Sequence, residues 1–130
     1  MERVWAGYAY DGLSRRILAS AIRVHRRLGP GLLESTYRAC LTRQLQLDGL
    51  AHETESPIDI TYEGLEISGA YRADIIVEGL VLLELKAVEA ILPIHQAQVL
   101  TYLRLSGLHV GLLLNFNVPR LKDGIRRFMV

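Results

Sequence analysis

The sequence predicts an α/β or α+β fold in which a central mixed sheet of about four to five strands is flanked by helices. The first observation is a helical spacing of apolar residues between positions 14 and 47. The second is a series of short apolar runs between positions 57 and 87, each bounded by turn residues, with another at 109–116. With 130 residues, 50% of them hydrophobic, the chain can bury a core as one domain over residues 1–130.

Composition excludes several classes of protein. A single cysteine, Cys40, excludes an intrachain disulfide and favours a cytoplasmic protein. No apolar run reaches about 18 residues, so we expect no membrane span. A net charge of +1 argues against a strongly basic nucleic-acid coat protein, although the basic residues gather at two places. These are the first helix (Arg15, Arg16, Arg23, Arg26, Arg27) and the C-terminal region (Arg120, Lys122, Arg126, Arg127).

Two helices are predicted before the sheet. Residues 1–12 have no clear period, so we expect a loose lead-in, and the helical spacing starts at Ser14. The Gly-Pro-Gly sequence at 29–31 ends the first helix, because glycine suits a helix C-terminus and proline cannot continue the helix. The second helix is predicted from about Leu32 to Leu47, before the Asp-Gly pair at 48–49.

Strands are predicted over the second half of the chain, interrupted by one helix. That helix begins at Pro93 and ends at Ser106, where Gly107 closes it. The pattern leaves residues 124–130 open between a strand and a short helix. The expected strands are 57–62, 65–69, 72–77, 80–87 and 109–116, of which 72–77 and 80–87 are typical of central strands.

Charged side chains interrupt the apolar runs of those two central strands. Asp74 lies on the first, and Glu84 and Lys86 lie on the second, where they share a face because strand side chains alternate. Asp74 joins them on that face only if the turn has three residues or a bulge. The sequence Val-Glu-Gly at 77–79 fits a type I turn of this kind, with Gly79 in the left-handed conformation.

Two interpretations of this cluster are open from spacing alone. Two close carboxylates repel each other unless a cation bridges them, and hard divalent cations prefer such oxygen ligands. The lysine could then orient an attacking water and offset charge on a phosphate. Alternatively, Lys86 forms a structural salt bridge with Glu84 or Asp74 at a strand end, and spacing gives the two interpretations about even weight.

The positions of three further residues each permit a structural role. His25 lies on the apolar face of the first helix, where a histidine bonded to a backbone carbonyl is more typical than a metal ligand. Arg72 would pair either with a carboxylate or with a phosphate. Glu34 falls in the first turn of the second helix, a position that the helix dipole alone favours for a glutamate.

Several stretches together resemble a known family. Asp74, followed by Glu-Leu-Lys at 84–86, resembles the D…(D/E)xK core of the PD-(D/E)XK nuclease superfamily. Gln98 and Tyr102 are similar to the QxxxY motif of its RecB-like branch and share a helix face. The stretch GLLESTY at 31–37 matches the signature of the GxxExxY proteins, a bacterial and archaeal group assigned to this superfamily. The likeness runs from about residue 11 to 130.

The resemblance implies a restriction-endonuclease-like core and a role for each matching residue. Asp74 and Glu84 would hold Mg²⁺ or Mn²⁺, with the backbone carbonyl of Leu85 as a further ligand. Lys86 would position or activate the attacking water. Glu34 would complete the acidic site from the second helix, and is itself a candidate metal ligand.

The same resemblance implies a function. Gln98 and Tyr102 would brace the site or contact the backbone of nucleic acid. The protein would be a metal-dependent nuclease that hydrolyses phosphodiester bonds, with DNA favoured over RNA. The near-neutral charge favours an alternative, an inactive nuclease-fold module that binds nucleic acid or a protein partner. A third interpretation is a structural subunit with a salt-bridged relic of the site. A homodimer would give so small a domain a longer groove and more charge.

Overall fold

A computed structural model describes the backbone of residues 2–130 and the side chains of residues 11–130. The predicted class, a five-stranded sheet flanked by helices, is confirmed. In chain order the elements are α1 (Glu2–Leu28), α2 (Glu34–Leu47), β1 (His52–Tyr62), β2 (Leu65–Val77), β3 (Val81–Lys86), α3 (Pro93–Ser106), β4 (Val110–Asn115), a 3₁₀ turn (Leu121–Gly124) and β5 (Ile125–Met129).

The strands lie in the sheet in the order in which they occur in the chain, from β1 to β5. All neighbours are antiparallel except β3 and β4, which are parallel and are joined by α3 as a crossover helix. The carboxyl ends of β3 and β4 therefore meet at the same edge of the sheet. No helix within residues 2–130 is long and apolar enough to cross a membrane.

Both faces of the sheet are covered, and two cores result. On one face α1 and α2 pack through residues such as Ile17 and Leu41 against the inward side chains of β2, β3 and β4. On the other face α3 packs through Val99 and Leu103. Gly111 permits this approach, because a Cβ there would lie 2.9 Å from Cγ1 of Val99. The first five residues of β3 are buried, as predicted for a central strand.

The structure corrects the expected lead-in at residues 1–12. From Glu2 onward these residues are helical and continue directly into the predicted helix, while residue 1 lies outside the described residues. The sequence contains no proline before Pro30, so no residue there forbids helix hydrogen bonds. The absence of an amphipathic period did not prevent the helix from extending.

Two further corrections concern strands. The runs at 65–69 and 72–77 form one strand, β2, because Gly69 takes a φ of +61° and its N–H donates to Oδ1 of Asp59 at 2.7 Å. The β1–β2 register shifts between Ile58 and Ile60, so a bulge absorbs the irregularity without ending the strand. The open choice at 124–130 is resolved as strand β5, which pairs antiparallel with β4.

The turn between β2 and β3 has the predicted length of three residues, but it begins one residue later than the predicted 77–79 and has a different conformation. Val77 pairs with Val81, which leaves three residues in the loop, 78–80. Glu78 and Gly79 both have positive φ, at 54° and 64°, whereas a type I turn requires a negative φ at its first central residue. Ala51 stabilises the positive φ of Glu78 through two hydrogen bonds. The Ala51 carbonyl accepts the Glu78 N–H, and the Ala51 N–H donates to the Glu78 carboxylate.

Candidate active site

Asp74 and Glu84 lie opposite each other where β2 and β3 separate. Ile75 pairs with Leu83, so the next position along the antiparallel register places the two carboxylates on one face. Oε1 of Glu84 accepts the Asp74 N–H at 3.3 Å, and Oδ2 of Asp74 accepts the Leu85 N–H at 2.8 Å. The side chains of Asp74 and Glu84 therefore accept hydrogen bonds from backbone N–H groups just beyond the last paired residues of the two strands. The other oxygen of each carboxylate takes part in neither of these two bonds.

Glu84 is the most strongly perturbed acid of the site. Its side chain belongs to a central strand, and the residue is only 6% exposed. Burial, followed by the negative charge of Asp74, raises the pKa of Glu84 from 4.5 to about 8. Without a bound cation this carboxyl therefore holds a proton at neutral pH. A cation beside the pair would favour the ionised form instead.

Lys86 does not form the salt bridge that the alternative interpretation requires. Among the described side chains, no ion pair joins Lys86 to either carboxylate. Asp74 instead faces Arg38 on α2, whose Nη1 lies 3.5 Å from Oδ1, and the same guanidinium lies 3.4 Å from Glu55. Lys86 is half-buried and shares the face of Glu84, and its positive charge counteracts the rise in the pKa of both Glu84 and Glu34.

Glu34 begins α2 and belongs to the same electrostatic environment. Burial raises the pKa of Glu34, the positive charge of Lys86 opposes that rise, and Asp74 adds to it. The first turn of a helix also favours a carboxylate there. The structure thus brings Glu34 near Asp74 and Lys86, although α2 and β3 are far apart in the sequence.

Tyr37 connects the loop before α2 to the carboxyl ends of the central strands. Its hydroxyl donates to the Gly29 carbonyl at 2.5 Å and accepts the Leu32 N–H at 3.2 Å. Its ring stacks on Phe116 with 4.6 Å between centroids, and the Phe116 N–H donates to the Lys86 carbonyl at 2.9 Å. The GxxExxY-like stretch therefore has a physical role, because its tyrosine fixes the loop that leads into Glu34.

We expect Tyr37→Phe to destabilise the protein by about 1–3 kcal/mol without changing the fold, because two backbone groups lose their partner. Chemical denaturation measures this loss. Tyr62→Phe is the matched control, since that tyrosine is 69% exposed. Equal stability of the two variants would contradict a structural role for the Tyr37 hydroxyl.

Helix α3 brings a tyrosine to the opposite side of the acidic pair. Burial raises the pKa of Tyr102, and the negative charges of Glu84 and Asp74 contribute. Its ring also lies 5.4 Å from that of Tyr71 on β2. Gln98 is half-buried one turn earlier, and among the described residues its side chain makes no hydrogen bond. The structure thus places Tyr102 near the charges of the acidic pair.

Sequence analysis missed two residues of this region. Arg38 lies four residues after Glu34, and this helical spacing places both on one face of α2, so the signal was present. Asn115 is 2% exposed at the end of β4, where its Oδ1 accepts the Val88 N–H and its Nδ2 donates to the Val88 carbonyl. A polar residue that ends an apolar strand was its only signal. Asn115 fixes the chain just after Lys86.

Two other predicted residues have clear positions. His25 is buried, and its Nε2 lies 3.1 Å from the Phe116 carbonyl and 2.8 Å from the Val118 carbonyl, which confirms a core histidine. Arg72 is exposed, and Arg38 rather than Arg72 pairs with Asp74. His25 also lines a cavity of about 470 Å³ after β4, together with three basic side chains. These are Arg26, Arg120 and Lys122.

The donors at the acidic pair fit a hard divalent cation. Asp74 and Glu84 each provide carboxylate oxygen, and the Leu85 carbonyl points to the same side as its N–H, which already meets Asp74. Within the described part of the chain, no three His, Cys, Asp or Glu side chains form a ready-made metal cage. One or two carboxylates, completed by water and phosphate, are often enough to hold a small divalent cation.

Comparison with known proteins identifies the family of the chain. The family model of the PD-(D/E)XK nuclease superfamily matches residues 11–128, nearly the whole chain. The mixed sheet flanked by helices is consistent with the restriction-endonuclease-like fold predicted above. No curated protein and no solved structure gave a significant match. The chain therefore belongs to the PD-(D/E)XK nuclease superfamily.

Proposed function

We propose that the protein is a metal-dependent nuclease that hydrolyses phosphodiester bonds, with DNA preferred over RNA as substrate. The observation that carries the proposal is the pairing of Asp74 with Glu84 on separating strands, with Lys86 on the same face and outside any ion pair of the described residues. In a structural salt bridge, the ammonium of Lys86 would already be paired with a carboxylate of the protein. Membership of the superfamily supports a nucleic-acid substrate.

The acidic pair would hold the metal. Asp74 and Glu84 supply the charged ligands, and the Leu85 carbonyl supplies a neutral one. Glu34 interacts electrostatically with Asp74, so its carboxylate is close enough to serve as a further metal ligand. A bound Mg²⁺ or Mn²⁺ offsets charge on the scissile phosphate and lowers the pKa of its water. Arg38 meanwhile holds Asp74 from the side of α2, so the carboxylate is oriented before a ligand arrives.

The remaining residues would act on water and substrate. The ammonium of Lys86 can hold a water by hydrogen bonding and can offset charge that develops on the phosphate. Tyr102 presents a hydroxyl beside the acids from α3, and Gln98 presents an amide one turn away, so both can donate to phosphate oxygens. Neither residue carries a charge that would repel the substrate.

The cavity after β4 offers a path for the nucleic-acid backbone. Its basic residues follow β4 or end α1, and β4 ends at the same edge of the sheet as Lys86. Local clustering thus provides positive charge that the net charge of +1 conceals. Arg120 and Lys122 would contact phosphates by charge, which gives affinity without sequence preference.

The test is cleavage of end-labelled single- and double-stranded DNA and RNA in Mg²⁺, in Mn²⁺ and in EDTA. We expect cutting that requires the metal, and that is stronger on DNA. Cutting that persists in EDTA would contradict metal dependence. No cutting of any substrate, combined with salt-sensitive binding, would identify the inactive nucleic-acid-binding module instead.

A further inference from the structure

The hairpin formed by β1 and β2 extends well beyond the rest of the sheet. β2 pairs with β3 only between Ile75 and Val77, so its first half has no strand on that side. β1 is the edge strand of the sheet on the other side. No residue from 59 to 72 is buried. We call residues 59–71 the arm. A two-stranded ribbon exposed in this way is only marginally stable in water, so the arm is suited to packing against another surface.

One face of the arm is apolar. Ile60 pairs with Ile67 and Tyr62 pairs with Leu65, and since alternate residues of a strand share a face, all four lie on the same side. Tyr62, Leu65 and Ile67 are 69%, 58% and 43% exposed. Thr61 and its partner Glu66 occupy the opposite face. A contiguous apolar face of this kind typically marks an interaction site.

The charge of the arm decides which surfaces it can meet. Asp59, Glu63 and Glu66 are acidic, and the arm contains no basic residue. Phosphate would be repelled, so nucleic acid and anionic membranes are excluded as occupants. Edge-to-edge pairing of two arms would place like charges together, and Pro57 removes a backbone donor from the edge strand next to the arm. The occupant must therefore be apolar and basic.

Such a surface exists elsewhere on the same chain. A groove of about 820 Å³ lies between α1 and α2. Leu28 and Leu47, 36% and 61% exposed, lie along it with Val24 and Cys40. Its rim carries Arg23, Arg27 and Arg43, and in the described structure none of these arginines forms an ion pair.

One acidic residue, Asp48, also lines this groove. Its carboxylate accepts hydrogen bonds from Ser20 at 2.6 Å and from Gln44 at 3.1 Å. These bonds satisfy the carboxylate within the chain. The groove as a whole therefore stays basic, with three arginines against one aspartate.

We infer that the arm of one molecule binds in the α1–α2 groove of a second copy of this chain. Apolar side chains of the arm would cover Leu28 and Leu47, while Glu63 at the tip of the arm would face the arginines of the rim. Reciprocal exchange of two arms closes the assembly as a symmetric dimer and buries the contact twice. The inference does not depend on catalysis, because neither surface includes a residue of the acidic site.

The experiment measures the mass of the full chain by sedimentation equilibrium over a concentration series. Two charge-reversed proteins are compared with wild type, one altered at the tip of the arm (Glu63→Arg) and one in the groove (Arg27→Glu and Arg43→Glu). Each alone should be weakened in self-association by about tenfold or more, because like charges then meet. A mixture of the two should recover association, because both contacts are again complementary.

Far-UV circular dichroism and unfolding transitions verify that each variant is folded. Met129→Ser is the matched control for loss of exposed apolar surface, since Met129 is 59% exposed on β5 at the far edge of the sheet. It should associate as wild type does, whereas Tyr62→Ser should not. A monomeric wild type at every concentration would overturn the inference. Charge-reversed proteins that dimerise alone, or that fail to associate when mixed, would also overturn it.

Discussion

Glu84→Gln is expected to abolish metal-dependent cleavage while leaving the fold intact. The amide keeps the shape of the side chain and can still accept the Asp74 N–H, so the β2–β3 junction has no reason to open. It removes the negative charge that a hard divalent cation requires from a ligand. The measurement is the rate of cleavage of the best substrate in Mg²⁺, with nucleic-acid binding followed in parallel.

Lys86→Ala should lower the rate by roughly 10²–10⁴-fold if the ammonium positions or activates the water. The variant retains both carboxylates, so metal binding should persist. Metal binding without cleavage would separate the role of Lys86 from that of Glu84. Glu89→Gln is the matched control for Glu84→Gln, because it makes the same chemical change at a residue that is exposed in the loop after β3. Wild-type cleavage rates in both Glu84→Gln and Lys86→Ala would eliminate this site as the catalytic centre.

The class of fold could be predicted because its signals are local and periodic. Short apolar runs identified the central strands, and Pro93 with Gly107 fixed both ends of α3 as observed. The three-residue loop followed from a chemical requirement that Asp74 and Glu84 share a face, and the register has that length. The predicted conformation of that loop was wrong, because the observed one depends on hydrogen bonds between Glu78 and Ala51, a residue distant in the sequence.

The rest of the site could not be predicted from local patterns. Arg38 contacts Asp74 only because α2 crosses the face of the sheet near the carboxyl end of β3. The hydrogen bond of Tyr37 to Gly29 and its ring contact with Phe116 require three separate segments of the chain to meet. The arm could not be predicted, because the residue pattern of β1 and β2 does not show where their neighbour β3 ends. Tertiary packing, rather than propensity, decides such contacts.

The titration of Glu84 gives the folded protein a distinctive dependence on pH. Its pKa is 4.5 as an ordinary glutamate and about 8 in the metal-free fold, where burial penalises the charge. Between these values the folded protein holds a proton that the unfolded chain has lost. The stabilising contribution is therefore complete below about pH 4.5 and is lost as the pH rises through about 8.

In EDTA, the free energy of unfolding of the wild type should thus fall relative to Glu84→Gln as the pH rises from 5 to 8, by at most about 1.4 kcal/mol per pH unit. Urea denaturation at a series of pH values measures it, and subtraction of the Glu84→Gln profile removes histidines and other groups common to both proteins. A divalent cation should restore stability to the wild type at the upper end of the range, because it binds the ionised carboxylates of the folded state, and should do little for the variant. Parallel profiles for the two proteins in EDTA would show that Glu84 is not perturbed by burial, and stabilisation of both by the cation to an equal degree would place the metal elsewhere.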